Sequence, residues 1–167
     1  MAQEPDITVE QFAALLQGRG GKNGRLLGLD LGTKTIGLAI SNAEWTIASP
    51  VETIRRKKFT PDVEHMLALA QKESVQGLVI GLPLNMDGSE GPRAQATRAF
   101  VRNLGRLSTL PVLFWDERLS SYAAEQAMLE ADMTRKKRDK NIDQIAAAII
   151  LQGCLDRLRQ HLDADNG

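Results

Sequence analysis

The stretch "RLLGLDLGTKTIGLAIS", residues 25–41, decides the fold because it has the pattern of two short strands joined by a turn at Gly32. Leucine, isoleucine, glycine and alanine dominate both strands, and Asp30 is the single acid among them. A carboxylate at the end of a buried strand costs several kcal/mol unless a cation, a proton or hydrogen bonds compensate its charge. The sequence therefore predicts a compensating partner for Asp30 elsewhere in the chain.

The periodicity of apolar residues on the C-terminal side of this stretch predicts the element order βββαβαβαα. Further strands are predicted around 45–54, 75–83 and 111–117, and helices over 62–73, 91–107, 120–132 and about 141–162. Three consecutive strands followed by alternating helices and strands favour a mixed sheet. We therefore predict an α/β fold whose five-stranded sheet is antiparallel on one side and parallel on the other, with helices on both faces.

The N-terminal segment differs from the rest of the chain. Residues 7–17 have the pattern of a short amphipathic helix, in which Thr8 and Gln11 form a capping box, and the glycine-rich stretch 18–24 ends it. We predict that residues 1–23 are a helical appendage with a linker, either packed on the main domain or tethered to it. Residues 24–162 then form one domain, and residues 163–167 form a tail.

The net charge neither favours nor excludes a polyanionic partner, because 21 basic residues match 21 acidic ones. The basic residues are concentrated in "RRKK" at 55–58 and "RKKRDK" at 135–140, and the second cluster is predicted to be a linker before the last helix. The single cysteine, Cys154, is predicted to be a small core residue in a reducing compartment. No apolar run reaches the ~18 residues of a membrane span, and the acidic N-terminus is unlike a signal peptide. We expect a cytoplasmic protein without a membrane partner.

Three acidic positions are candidates for one site. Strand alternation places Asp30 on the same face as Gly28, which leaves room for a helix to approach. Asp143 in the last helix can then come close to Asp30. Asp116 and Glu117 end the last strand and point to opposite faces, so one of them is expected to join the cluster.

Each acid also has a purely structural explanation. Asp143 follows Asn141, a candidate helix cap, and would complement the helix dipole in the first turn. Glu117 would pair with Arg118 or another surface cation, and Asp30 would form an Asx-type turn.

The three acids are stronger evidence for a functional site when they are considered together. Carboxylates converging at ~5 Å repel by roughly 3 kcal/mol per pair at an effective dielectric near 20, and protonation or a divalent cation relieves that repulsion. Ligands that offer only oxygen favour Mg²⁺ or Mn²⁺. The sequence therefore predicts a site for one of these ions.

Four motifs carry a family resemblance. They are "LGLDLGTKTIGLAIS", "VIGLPLNMDGSEGPRA", "FWDERLSS" and "NIDQIAAAIIL", in this order. Together they resemble the YqgF/RuvX family, the pre-16S rRNA nucleases, from about residue 25 to residue 158. The resemblance implies an RNase H-like fold, shared with the Holliday junction resolvases, in a bacterial cytoplasmic protein that matures the 5′ end of 16S rRNA. It also implies an acidic site at Asp30, Glu117 and Asp143, with Asp116 as a fourth candidate.

The resemblance implies a metal-dependent chemistry and a nucleic-acid partner. One Mg²⁺ or Mn²⁺ would activate a water for attack on a phosphodiester, and a second would stabilise the leaving oxygen. Candidate contacts to the phosphates are Thr33, Lys34, Arg118 and the basic cluster Arg135, Lys136, Lys137, Arg138 and Lys140. The N-terminal helix before Gly24 is a departure from the compact family pattern.

Three other functions are compatible with parts of the sequence. "DLGT" after a strand also resembles the first phosphate loop of actin-like ATPases, but those enzymes clamp nucleotide between two such domains and this chain has one. A Holliday junction resolvase would share the fold and metals but act as a dimer on four-way DNA. A ribosome-assembly factor would bind rRNA without cutting it. Precursor rRNA is the first choice of partner, branched DNA the second, and both a monomer and a homodimer remain open.

Overall fold

The computed structural model describes residues 6–18, 24–119 and 135–166. The strands are β1 (Arg25–Leu31), β2 (Thr35–Ser41), β3 (Ala48–Arg55), β4 (Val75–Leu82) and β5 (Val112–Asp116). The helices are α1 (Val9–Gly18), α2 (Phe59–Lys72), α3 (Pro92–Leu104) and α4 (Arg135–Asn166), and a 3-10 turn covers Glu117–Leu119. In these described ranges no helix is long and apolar enough to cross a membrane.

The five strands form one sheet in the order β3-β2-β1-β4-β5. β1 pairs antiparallel with β2, and β2 pairs antiparallel with β3. On its other side β1 pairs parallel with β4, which pairs parallel with β5. The prediction of a mixed sheet, antiparallel on one side and parallel on the other, is confirmed. The nearly continuous apolar runs of β1 and β4 are typical of strands that are covered on both faces.

Helices cover both faces of the sheet, as predicted. Leu26 and Val79 face a buried cluster shared with α1 and α4. Leu27 and Leu29 face a second cluster shared with α2 and α3. Strand alternation therefore separates two cores, and Asp30 falls on the α4 side by the same alternation.

The N-terminal helix is packed on the sheet, which decides between the two arrangements that the sequence allowed. Its capping box is confirmed: the Thr8 amide donates to Gln11 Oε1 at 2.8 Å, and the Gln11 amide donates to Thr8 Oγ1 at 3.1 Å. Phe12 and Leu16 are fully buried, against the surface that Gly77 leaves open on β4. α1 therefore contributes to the core of the domain.

Three predicted boundaries are wrong. The last helix begins at Arg135, so the basic stretch 135–140 is helical and not a linker, and Asn141 is not its cap. The helix runs to Asn166, so it includes most of the predicted C-terminal tail. The third strand begins at Ala48, because Trp45 has a left-handed backbone (φ 59°) that ends any strand there. The helix predicted over 120–132 lies outside the described residues.

Candidate functional site

Asp30 lies between two glycines on the neighbouring strands. On β2 its direct partner in the antiparallel register is Gly37. On β4 the parallel register pairs Leu29 with Ile80, so the next residue, Gly81, lies beside Asp30. The sheet surface on both sides of the Asp30 carboxylate is therefore bare backbone, which leaves space for other groups to approach it.

Asp143 fills the space above Gly37. A Cβ atom at Gly37 would overlap the carbonyl oxygen of Asp143, which means that the α4 backbone lies directly on the strand. Thr35, at the start of β2, donates a hydrogen bond from Oγ1 to Asp143 Oδ2 at 2.8 Å. The position of Asp143 is thus fixed by its backbone and by its carboxylate. It lies in the third turn of α4, beyond the first turn in which a helix dipole acts, so the dipole does not account for it.

Glu117 fills the space above Gly81. A Cβ atom at Gly81 would lie 2.6 Å from Glu117 Oε1 and 2.6 Å from Ile150 Cδ1. The Glu117 side chain therefore extends from the end of β5 across β4, beneath α4 and towards Asp30. Without a glycine at 81 this path would be closed.

The pKa of Asp30 reflects this convergence. Burial, then the charge of Glu117, then that of Asp143 raise the pKa of Asp30 to about 6, and Arg93 opposes the shift. Burial also raises the pKa of Glu117, against the opposing effect of Arg93. Carboxyl groups with raised pKa values at the carboxyl ends of parallel strands are typical of a functional site.

Of the two acids at the end of β5, Glu117 joins Asp30 and Asp116 does not. Arg118 donates to Asp116 from its backbone amide at 2.9 Å and from Nη2 at 2.7 Å. These bonds lower the pKa of Asp116. Arg118 also donates from Nη1 to the Met86 carbonyl at 3.2 Å. Asp116 is therefore engaged by Arg118, and Arg118 also contacts the loop after β4.

A divalent cation is compatible with the chemistry of these acids, although the residues do not form a closed cage. Within residues 6–18, 24–119 and 135–166, no three carboxylate, imidazole or thiol side chains are arranged so that they could hold a metal ion. Mg²⁺ commonly keeps several waters and binds through one or two carboxylates plus substrate phosphates, so it does not require such a cage. Asp30 together with one of its neighbouring acids offers the oxygen ligands for this type of site.

The predicted phosphate contacts are only partly described by the structure. Thr33 and Lys34 are exposed in the turn between β1 and β2. Thr35, which was not among the predicted contacts, donates a hydrogen bond to Asp143 and orients that acid. The side chains of Arg135, Lys136, Lys137, Arg138 and Lys140 lie outside the described part of α4.

Two residues of the site were not predicted, Thr35 and Arg93. Thr35 carried only a weak signal, a polar side chain at the start of a strand, because its partner Asp143 lies 108 residues further along the chain. Arg93 follows Pro92 in the first turn of α3 and carried no comparable signal.

A family model matches most of the chain. The model, described as RuvX, Holliday junction resolvase, matches residues 24–157. A Ruegeria pomeroyi protein that carries the provisional name of pre-16S rRNA nuclease is 59% identical over 152 residues, which are 91% of this chain and 96% of that protein. A Rhodobacter capsulatus protein of the same name is 55% identical over 159 residues, 95% of this chain and 97% of that protein.

The N-terminal helix lies outside the match to the family model but inside the match to one relative. The family model begins at residue 24, so α1 is outside it, as expected from the compact family pattern. The match to the Rhodobacter capsulatus protein leaves at most eight residues of this chain uncovered, so that match includes α1. The helix is therefore shared with at least one relative.

Solved structures show the same fold at low identity. RuvC of Thermus thermophilus, in a structure with a Holliday junction substrate, superposes with a TM-score of 0.52 at 13% identity, covering 84% of this chain and 96% of that chain. The yeast mitochondrial Holliday junction resolvase superposes with a TM-score of 0.50 at 14% identity, covering 94% and 88%. The fold is thus the RNase H-like fold of these resolvases, and the chain belongs to the RuvX family.

Proposed function

We propose that this protein is a divalent-metal-dependent nuclease that hydrolyses phosphodiester bonds at the 5′ end of pre-16S rRNA in the cytoplasm. The names of its relatives at 55–59% identity support the substrate, and membership of the RuvX family supports nuclease chemistry. The observation that carries the proposal is the convergence of Asp30, Glu117 and Asp143 from three separate elements, with the pKa of Asp30 raised to about 6.

The three acids have different roles in this proposal. Asp30, together with Glu117 or Asp143 and the substrate phosphates, would hold Mg²⁺ or Mn²⁺, and the charge of the ion would activate a water for attack on the phosphorus and stabilise the leaving oxygen. Asp30 lies at the centre and is ionised above about pH 6. Glu117 approaches from β5 and Asp143 from α4, so each acid is positioned by a different rigid element. Thr35 is a positioning residue, because its hydroxyl donates to Asp143 and so orients that carboxylate.

The test of this proposal is cleavage of a labelled precursor with the 16S 5′ leader, with Mg²⁺ or Mn²⁺ present. We expect the wild-type protein to cut the leader and Asp30→Asn and Asp143→Asn to lose more than 100-fold in rate, because each removes a charge from the ion site. Glu64→Gln, an exposed change on α2, is the matched control and should cut at the wild-type rate. Equal cutting by wild type and Asp30→Asn would refute the proposed site.

A second candidate function is supported by the description of the family model, Holliday junction resolvase. The same assay with a labelled four-way DNA junction distinguishes the two. Symmetric cutting of the junction, together with an uncut leader, would assign resolvase activity. Binding of the leader without cutting of either substrate would instead favour an assembly factor, which should bind equally well after Asp30→Asn.

A further inference from the structure

A small cavity lies beside the acids, on the opposite face of the sheet from α4. Its volume is about 80 Å³, several times the ~10–15 Å³ that one water needs. Its walls come from the end of β1 and the following turn, the residue after β3, and α3. They are Leu31, Gly32, Thr33, Arg56, Arg93, Ala96, Thr97 and Phe100. The cavity therefore has a partly apolar floor and two arginines in its walls.

Arg56 is held in place by contacts that do not neutralise it. Its Nη1 donates to the Gly32 carbonyl at 2.7 Å, and its backbone amide donates to the Lys34 carbonyl at 2.8 Å. The guanidinium carbon lies 5.6 Å from the centre of the Phe100 ring. The group is thus oriented by a carbonyl and an aromatic ring, and its other N–H donors form no hydrogen bond within residues 6–18, 24–119 and 135–166.

Arg93 is held by a single backbone carbonyl. Its Nη2 donates to the Leu31 carbonyl at 3.2 Å. Among the residues that the structure describes, no carboxylate forms a salt bridge with Arg93 or Arg56. Arg98, one turn further along α3, is by contrast paired with both Asp6 and Glu90. Two oriented guanidinium groups that form no salt bridge with the described acids therefore share one cavity.

The elements around the cavity add to its positive potential. α3 begins at Pro92, so the positive end of its dipole lies at Arg93. Arg93 is also close enough to Asp30 and Glu117 to act on both charges. The cavity is thus adjacent to the proposed site of cleavage, and it is electropositive where that site is electronegative.

We propose that the cavity between Arg56 and Arg93 binds a phosphate group of the nucleic-acid strand, distinct from the phosphate that is cleaved at the acids. The inference rests on the proposed nuclease function for the identity of the strand. Two arginines with oriented N–H donors suit the tetrahedral oxygens of a phosphate. The bound group is either an internal phosphodiester or the terminal 5′-phosphate. Because the cavity lies beside the acids, a phosphate held there would determine which phosphodiester of the strand is cleaved.

The test is binding of a single-stranded RNA of the 16S leader with its fluorophore at the 3′ end, measured by anisotropy in EDTA so that no cleavage occurs. We expect Arg56→Gln and Arg93→Gln each to weaken binding about tenfold, as for a lost charge-assisted contact. Each should also reduce the slope of log K against log [salt] by about 0.7, the contribution of one phosphate on a single strand. Arg56→Lys should restore the slope while leaving the affinity reduced, because it keeps the charge but not the paired donors.

The matched control is Arg102→Gln, an exposed arginine near the end of the same helix. It should bind with wild-type affinity and slope. Unfolding in urea confirms that each variant is folded before its binding is interpreted. Comparing RNA with a 5′-phosphate and a 5′-hydroxyl separates the two sources: an effect of Arg56→Gln on both indicates an internal phosphodiester, and an effect on the phosphorylated RNA alone indicates the terminal phosphate.

The proposal is overturned if folded Arg56→Gln binds both RNAs like wild type, if Arg102→Gln loses as much, or if the wild-type protein binds neither RNA. Its failure is separable from that of the nuclease proposal. Leader cleavage by the wild type, with unchanged binding by Arg56→Gln, would refute only the proposal that the cavity binds a phosphate. A cavity effect on binding without any cleavage would refute only the nuclease.

Discussion

The ionised carboxylate of Asp30 destabilises the folded state at neutral pH. Its pKa rises from 3.8 to about 6 on folding, mainly because it is buried and because Glu117 and Asp143 are nearby. A raised pKa stabilises the folded state below pH 3.8, and that contribution is lost as the pH rises through 6. The difference is at most about 3 kcal/mol. Above pH 6 the ionised Asp30 therefore lowers the free energy of unfolding, as expected of a residue that is retained for function.

The first prediction concerns stability without metal. In EDTA, Asp30→Asn should unfold with the same free energy as wild type near pH 4 and be more stable by about 1–3 kcal/mol at pH 8, because the buried charge is gone. Urea titrations at the two pH values measure this. Glu64→Gln on the exposed face of α2 should change neither value. A loss of stability in Asp30→Asn at pH 8 would show that Asp30 is a structural residue.

The second prediction concerns the metal. Adding Mn²⁺ should raise the unfolding temperature of the wild type at pH 8 by mass action, and much less at pH 5, where a proton on Asp30 competes with the ion. EDTA should reverse the increase. Asp30→Asn should show little response at either pH. A response that is equal at pH 5 and pH 8 would place the ion elsewhere.

At the scale of elements, the site depends on how closely α4 lies on β2. Gly37 admits the α4 backbone at Asp143, and Gly81 admits the side chain of Glu117. Both are close approaches that any side chain would obstruct. The two glycines thus determine which groups reach Asp30, although neither glycine has a chemical function.

The third prediction tests this arrangement. Gly37→Ala should destabilise the fold by about 3 kcal/mol, because its Cβ meets backbone of α4 that has to move, and it should abolish cleavage by displacing Asp143. Gly105→Ala is the control, because Gly105 has a helical backbone and room for a Cβ, and it should be neutral or slightly stabilising. Wild-type stability and cleavage in Gly37→Ala would contradict the described packing. Urea unfolding and leader cleavage are the measurements.

Some of this arrangement was predictable from the sequence, and some was not. Alternation along β1 placed Asp30 on one face, and local apolar periodicity gave the strands and the two-sided covering of the sheet. The partners of Asp30 depend on the register of β2 and β4, which is set by contacts between distant residues and not by local pattern. The choice of Glu117 over Asp116 likewise needed the position of Arg118, whose bonds engage Asp116.

The first residue of α4 was predicted wrongly for a different reason. Asn141 has the chemistry of a helix cap, so the sequence favoured a helix that begins there. The structure continues the helix back to Arg135 through a run of basic residues that carries no capping signal. Lysine and arginine are good helix formers, and here that propensity outweighs the local cap at Asn141.

At the scale of the whole molecule, the N-terminal segment joins the two layers of helices. Phe12 and Leu16 of α1 are buried on the face of α4. Asp6, just before that helix, accepts two hydrogen bonds at 2.8 Å from Arg98 of α3, on the opposite face. The Arg98 guanidinium lies 4.9 Å from the centre of the Phe114 ring on β5. The segment thus encloses the outer edge of the sheet at β5.

The fourth prediction follows from this role. Phe12→Ala should lower the free energy of unfolding by about 3–5 kcal/mol, since it leaves a cavity between α1 and β4. Leu15→Ala, on the exposed side of the same helix, should cost far less and serves as the control. Urea unfolding measures both. Equal, small losses would mean that α1 is dispensable and only tethered.

The hydrogen bond from Thr35 to Asp143 spans 108 residues of chain. Thr35 belongs to the second strand of the sheet, whereas Asp143 belongs to α4, which follows all five strands in the chain. Asp30 therefore lacks its neighbour Asp143 until α4 has docked on the sheet, because long-range contacts form only after the intervening chain is available. The acidic site is thus completed in the same step as the fold, and a chain whose α4 is undocked has no complete site.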